Sequence, residues 1–387
     1  MLLPKPSGWA VRLLGVLITT ALLLRFTPHV ENPARGYNIG FVGNSILFFN
    51  DLPRVLEAMT GNVIYQNSCL HGSLNLLSIL QRGNGMYNKW RTPNAKIRQK
   101  KYPNATLYDY GLCSFPQLLF GYDANLFSGA YVDDGRNPCF QDPDYLAYLN
   151  DTYTAPEWDF VIINDQTTYP GVYYKRNSCL LALKNVYASM LLETKSRPVF
   201  LVTHGYNKTD FGGNNNTGSP LGSIPEFTSR IYHGYEIYAK ILSTYLPPDQ
   251  EPLLAPVGLV YLLIWEKNFA FWEKLFYYDG FHPSPHGTYL IALTLYATMF
   301  QKMPSTDFVL HDNLEELWSR ARRMQGYDVD YPNLPFPTFE EAYYIYQAVR
   351  RVVLLGQLPS TLIDAQTIEE MEIDAGYQGW YNTDGDI

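Results

Sequence analysis

Ser45, Asp279 and His282 are the residues of this chain whose types and spacing point most directly to chemistry. Ser45 closes the segment Gly43-Asn44-Ser45, and the other two lie three positions apart in Asp279-Gly280-Phe281-His282-Pro283-Ser284. A serine hydroxyl becomes an effective nucleophile when a histidine can take its proton, and the histidine works best when a carboxylate fixes its tautomer. In a compact turn, a carboxylate three residues before a histidine can accept from one ring nitrogen and leave the other free to face a hydroxyl. Ser45 as nucleophile, His282 as base and Asp279 as orienting carboxylate would make an acyl-transfer site that needs no metal and no cofactor. His286 follows His282 at helical metal-pair spacing, but Pro283 and Pro285 interrupt the regular turn that such a pair requires.

These residues can meet only if strands and helices bring them to one edge, and the chain reads as an α/β domain with a parallel sheet. Residues 37–43 (YNIGFVG) form a predicted first strand that ends at Gly43. Asn50 and Asp51 can cap the helix that follows, with Pro53 in its first turn and Val55, Leu56 and Met59 on its inward stripe. A short second strand is predicted at 63–66 and a short helix at 74–80. Residues 158–164 (WDFVIIN) are an almost continuous apolar run, as expected of a strand covered on both faces. A helix at 178–194, strands at 199–204 and 253–257, and an apolar helix at 285–300 complete the pattern. Ser45 then sits at the carboxyl end of a strand, where open α/β sheets bind ligands.

Three stretches break this alternation. Residues 83–156 are rich in Gly, Pro, Asn and Tyr without periodicity and read as an insertion of the kind that shapes binding sites. Residues 206–223 read as a loop. The segment 303–387 reads as a helical extension, with helices near 313–324 and 339–355, followed by an acidic tail peripheral to chemistry. At the other end, Lys5 and Arg12 precede the 12-residue apolar run LLGVLITTALLL, so residues 1–30 are expected to be a signal peptide or signal-anchor. That places the chain in the secretory pathway, extracellular or lumenal with a single N-terminal anchor. Cys69, Cys113, Cys139 and Cys179 follow, allowing up to two disulfides in an oxidising compartment and matching no CxxC metal pattern. Glycosylation sequons occur at Asn104, Asn150, Asn207 and Asn215.

Composition narrows the partners. The chain has 387 residues, 47% of them hydrophobic and only 17% charged, and 32 tyrosines help bring aromatics to 15%. Setting aside Lys5, Arg12 and Arg25 leaves 26 basic residues against 37 acidic ones, a balance of -11 that disfavours nucleic acid, which needs a basic footprint. An uncharged polar and aromatic surface suits a small-molecule or glycan ester.

Four blocks resemble those of the SGNH (GDSL-type) hydrolases. They are Gly43-Asn44-Ser45 with Asp51-Leu52-Pro53, Gly72 in CLHGSL, Asn164 in IINDQ, and Asp279 to Leu290 (DGFHPSPHGTYL). The resemblance covers residues 37–302 and implies a three-layer α/β/α, flavodoxin-like sandwich with a central parallel sheet of about five strands. It also implies an oxyanion hole made by the backbone N–H groups of Ser45 and Gly72 and the side-chain amide of Asn164. Asn44 stands where the family usually has aspartate and resembles a GNS subgroup. His71, Asp165 and His204 are candidate substrate contacts. No Gly-x-Ser-x-Gly occurs, which sets aside the α/β-hydrolase elbow. The expected function is a serine esterase acting on an acyl ester, such as a carbohydrate O-acyl or O-acetyl ester. An O-acyltransferase on glycans with the same triad, or a catalytically silent carbohydrate-binding module, are the alternatives.

Overall fold

Phe160–Ile163 (FVII) carries no polar side chain, so both faces of this strand must be covered. In the computed structural model it is β3, the centre of a five-stranded sheet that also contains β1 (Tyr37–Gly43), β2 (Ile64–Leu70), β4 (Arg197–Leu201) and β5 (Leu253–Ala255). The strands are all parallel in the order β2-β1-β3-β4-β5. The structure describes residues 36–60, 64–82, 112, 114–121, 154–207, 221–305 and 334–374. The N-terminal apolar run, most of the insertion, Cys113, Cys139, three of the four sequons, the helix expected near 313–324 and the last residues lie outside them. No helix among the described residues is long and apolar enough to cross a membrane.

The helices that build the core and the site are, in chain order, α1 (Ser45–Phe48), α2 (Leu52–Met59), α3 (Leu76–Arg82), α4 (Phe115–Phe120) and α5 (Tyr173–Ala182). α5 runs on through a π turn at Leu183–Tyr187 into Ala188–Thr194. Then follow α6 (Ile224–Ser243), α7 (Val257–Lys267), α8 (Phe269–Glu273), α9 (Pro285–Phe300), α10 (Phe339–Val349) and α11 (Ala365–Asp374). Strand alternation divides them into two layers. Ile39, Phe41, Phe160, Ile162, Val199 and Leu201 face one core, completed by α2, α7, α9 and α10. Val42, Val161, Ile163 and Phe200 face the other, completed by α3, α4, α5 and α6. The result is a three-layer α/β/α sandwich.

α9 is apolar around its whole circumference and accordingly buried along nearly all of its length, with Ser284 capping it through Gly287 N–H at 3.2 Å. α6 and α7, like α1, α4, α8 and α11, occupy positions where the sequence reading placed no helix. α6 opens on Ser223, with Pro225 and Glu226 in its first turn, and buries one face, whereas α7 is apolar all round and shows no one-sided stripe. The Asn50–Asp51 cap is a second difference. Asp51 stands at the N-cap position of α2 but its side chain makes no capping bond to the helix, and both residues take left-handed backbone conformations (φ 52° and 57°). Asp51 instead sits 3.1 Å from Arg54 Nε, both buried. Cys69 and Cys179 are free and buried, so no disulfide joins them.

The acidic C-terminal segment is tied to the rest of the fold. Thr361 donates to Glu266, Ile363 N–H to Ser229, and Glu372 is buried in a two-pronged pair with Arg176 at 2.7 and 3.1 Å. Arg176 also donates to the carbonyl of Pro170, in the short helical turn Thr168–Gly171 after β3. Both side chains of the pair are only 2% exposed, so removing one takes the opposite charge away from a buried ion. Glu372→Ala is therefore expected to cost roughly 3–5 kcal/mol in urea denaturation, and replacing Arg176 and Glu372 together by apolar residues much less. Equal losses in the single and double variants would refute this assignment of the energy.

Candidate active site

In a parallel sheet every strand ends at the same edge, and here those ends interlock. Val42 pairs with Ile163 and Gly43 with Leu70, and the ladder extends one step through Asn164 N–H to Val42 O and His71 N–H to Gly43 O, each 3.0 Å. Gly43 has φ 153°, and a Cβ there would overlap the side-chain oxygen of Asn164. Glycine is required because the neighbouring strand approaches so closely.

Asn44 uses that proximity. Its N–H donates to Asn164 Oδ1 at 3.0 Å, and its own Oδ1 accepts from Asn164 Nδ2 at 3.0 Å and from Ile46 N–H at 3.2 Å. Its Nδ2 donates to Asp165 O at 2.9 Å and Leu74 O at 3.2 Å. One side chain thus caps α1 and ties the ends of β1 and β3 to the loop after β2.

Ser45 opens α1 beside this knot. The partner loop is stapled as a narrow turn by Tyr277 N–H to His282 O at 2.8 Å and Ser284 N–H to Leu275 O at 2.9 Å. Gly280, at φ 79°, makes the reversal. Asp279 Oδ1 accepts from the Phe281 and His282 amides at 3.0 Å, and Oδ2 lies 2.7 Å from His282 Nδ1. His282 Nε2 lies 2.7 Å from Ser45 Oγ, across 237 residues of sequence. The imidazole is stacked on Phe49, parallel at 3.7 Å between ring centres, and the Phe281 ring lies tilted by 42° against it at 3.9 Å.

Burial lowers the His282 pKa below the ordinary imidazole value, and the Asp279 carboxylate offsets this only in part. Burial pushes Asp279 upward, but hydrogen bonds from the His282 ring and from the His282 and Phe281 amides outweigh it and leave the carboxyl below its usual range. The pair at neutral pH is a neutral imidazole beside an ionised carboxylate. That is the protonation state in which an imidazole can accept a hydroxyl proton.

The other residues singled out in the sequence fall less uniformly. Gly72 lies in the loop after β2, half-buried, with a notional Cβ at ordinary contact distance, 3.8 Å, from Phe48. The left-handed residue of that loop is Ser73, φ 64°. Asn164 is fully buried and its amide protons go to Asn44 Oδ1 and Asp165 O, so as it stands the amide is not a spare oxyanion donor. Asp165 is also fully buried and is no substrate contact. Its carboxylate accepts from Leu76 N–H, Gln166 N–H and the Tyr238 hydroxyl at 2.8–3.1 Å. His204 is fully buried too, stacked on Tyr261, with burial pulling its pKa down to about 4, so it lines no open surface. His71 remains partly exposed, its Nδ1 2.9 Å from Gly72 O.

Three aromatic residues beside the site had no reading from sequence. Phe49 looked like one more apolar residue in ILFF, and Phe281 like filler between Asp279 and His282. Tyr206 stands edge-on to Phe281 at 5.6 Å and bonds through its hydroxyl to the side chains of Thr167 and Gln166. An aromatic residue within one or two positions of each polar block was the available signal.

No family model matches the chain, and no curated protein matches it. Two solved structures resemble it. One is a protein from Slackia heliotrinireducens described as a candidate SGNH hydrolase, 18% identical, covering 68% of this chain and 100% of its own, with a TM-score of 0.38. The other is a DUF4886 family protein from Bacteroides uniformis, 11% identical, covering 84% and 98% respectively, with a TM-score of 0.43.

The Asn44 knot has a specific test. Aspartate caps a helix as well as asparagine does, but it cannot donate to Leu74 O and Asp165 O. Asn44→Asp is expected to lose about 1–3 kcal/mol of stability at neutral pH, read by chemical denaturation. A neutral result would mean that capping alone is what Asn44 contributes.

Proposed function

We propose that this chain is a serine hydrolase of the SGNH type, GNS subgroup, that cleaves an acyl ester through an acyl-serine intermediate. The observation that carries this reading is the unbroken path Ser45 Oγ to His282 Nε2 and His282 Nδ1 to Asp279 Oδ2, each 2.7 Å. His282 takes the Ser45 proton as Oγ attacks the ester carbonyl. It then gives that proton to the departing alcohol, and in the second half-reaction it activates the water that releases the acid.

The backbone N–H groups of Ser45 and Gly72 are the oxyanion donors in this scheme. Asn164 joins them only by giving up a bond to Asn44 or Asp165. The tyrosine-rich sequence of residues 83–156, together with the Tyr206–Phe281 edge, supports an alcohol of carbohydrate type carrying a short acyl group. The apolar run near the N-terminus supports action in the secretory pathway.

Ser45→Ala is expected to cut hydrolysis of a 4-nitrophenyl acetate reporter by about 1,000-fold or more while leaving the melting temperature close to that of the parent. It should also abolish labelling by a fluorophosphonate probe. Full activity in this variant would end the proposal. A pH profile gives a second test. The base must be neutral to act, and burial holds His282 below the ordinary imidazole value of about 6.5. The reaction should therefore hold its rate through neutrality and lose it only as pH falls through that lowered value. An acidic limb centred above the ordinary value would contradict it.

A further inference from the structure

Ser45 and His282 are placed by a segment whose residues neither react nor bind substrate in the scheme above. Phe49 follows the nucleophile by four positions, and its ring lies parallel to the His282 imidazole at 3.7 Å, with an interplanar angle of 6°. It is itself held on two sides, by Phe48 at 5.9 Å and by the edge of Tyr277 at 6.1 Å, and is 1% exposed. Immediately after it, Asn50 and Asp51 take consecutive left-handed conformations, a costly arrangement that asparagine and aspartate tolerate better than other residues with side chains. The reversal turns the Asn50 side chain onto the opposite loop, where Nδ2 donates to Pro283 O and Thr288 Oγ1, both at 2.9 Å. Pro283 directly follows His282.

We propose that Phe49 is a positioning residue for the Ser45–His282 pair: carried on the nucleophile's own loop, it is a flat bearing that holds the imidazole in register with Ser45 Oγ and keeps water from that face. Asn50 is the pin that locks the bearing to the histidine loop. The proposal rests on His282 being the base for Ser45. The groups facing the imidazole are Asp279 on its own loop, Ser45 on α1 and the buried, neutral His204 at the end of β4.

The test uses the full chain with Phe49→Ala, Phe49→Leu and Asn50→Ala, checked for cooperative melting. The His282 ring resonance, assigned by its loss in His282→Gln, is titrated by NMR, and 4-nitrophenyl acetate kinetics are followed across pH. In Phe49→Ala the ring should titrate closer to the ordinary value of about 6.5, because water reaches one face. The acidic limb of kcat/KM should move up with it, and kcat should drop about 10-fold or more with KM little changed, the mark of lost alignment. Phe49→Leu, which keeps an apolar cover without a flat face, should show a smaller titration shift with kcat still reduced, and it serves if the alanine variant does not fold. Asn50→Ala should lower kcat in the same manner. A folded Phe49 variant with unchanged titration and unchanged kcat would overturn the proposal. A shifted titration in a parent protein that hydrolyses no ester would instead remove the esterase reading and leave the positioning intact.

Discussion

The contact between β1 and β3 at Gly43 and Asn164 is the constraint from which the rest of the site follows. Two parallel strands end so close together that the space for a Cβ is filled by a neighbour's amide. The Asn44–Asn164 pair closes that gap with two reciprocal hydrogen bonds in a fully buried setting, where an unmet donor or acceptor is expensive. The loop after β2 is drawn in by Leu74 O and Leu76 N–H, bonded to Asn44 and Asp165. Ser45 inherits its place as the next residue along. Its position is therefore set by the close approach of β1 and β3 and by the Asn44–Asn164 bonds at the middle of the sheet.

The histidine side is built differently. No strand carries His282; it stands on a turn between α8 and α9, and such a turn needs local bonds to be rigid. It has them within itself, in the Tyr277 and Ser284 staples and the Asp279 cap over two amides. It also has them across the cleft, through Phe49 and Asn50. The long apolar helix α9, capped by Ser284, anchors the turn in the core.

Much of this was legible in the sequence wherever the signal was local. Residues 37–43 read as β1 at both ends, because glycine marks its exit and the apolar run its body. Asp279 and His282 announced each other by spacing alone. α9 was visible in its Ser-Pro start and unbroken apolar length. α6 has a Ser-Ile-Pro-Glu start and a one-sided apolar stripe that the sequence reading passed over, although Thr228, Ser229, His233 and Gly234 also sit on its buried positions. What else escaped depends on register and packing. Asn164 looks like a strand-end donor until the register of β1 against β3 assigns its protons. The turn at Asn50 and Asp51 reads as a cap because those residue types favour caps, while the same short polar side chains also suit left-handed backbone. Arg176 and Glu372 are 196 residues apart, and nothing local pairs them.

Cys69 and Cys179 lie inside the layer that α3 to α6 form against the sheet. Desolvation drives both thiols far above their usual ionisation range, and at Cys179 the hydrogen-bonded Asp165 carboxylate drives it further. Since the thiolate is the form that alkylates, oxidises and exchanges, these sulfurs are chemically silent for as long as the layer stays closed. Their modification by a thiol reagent then becomes a clock for opening of that half of the protein, running in the background of any assay of the serine.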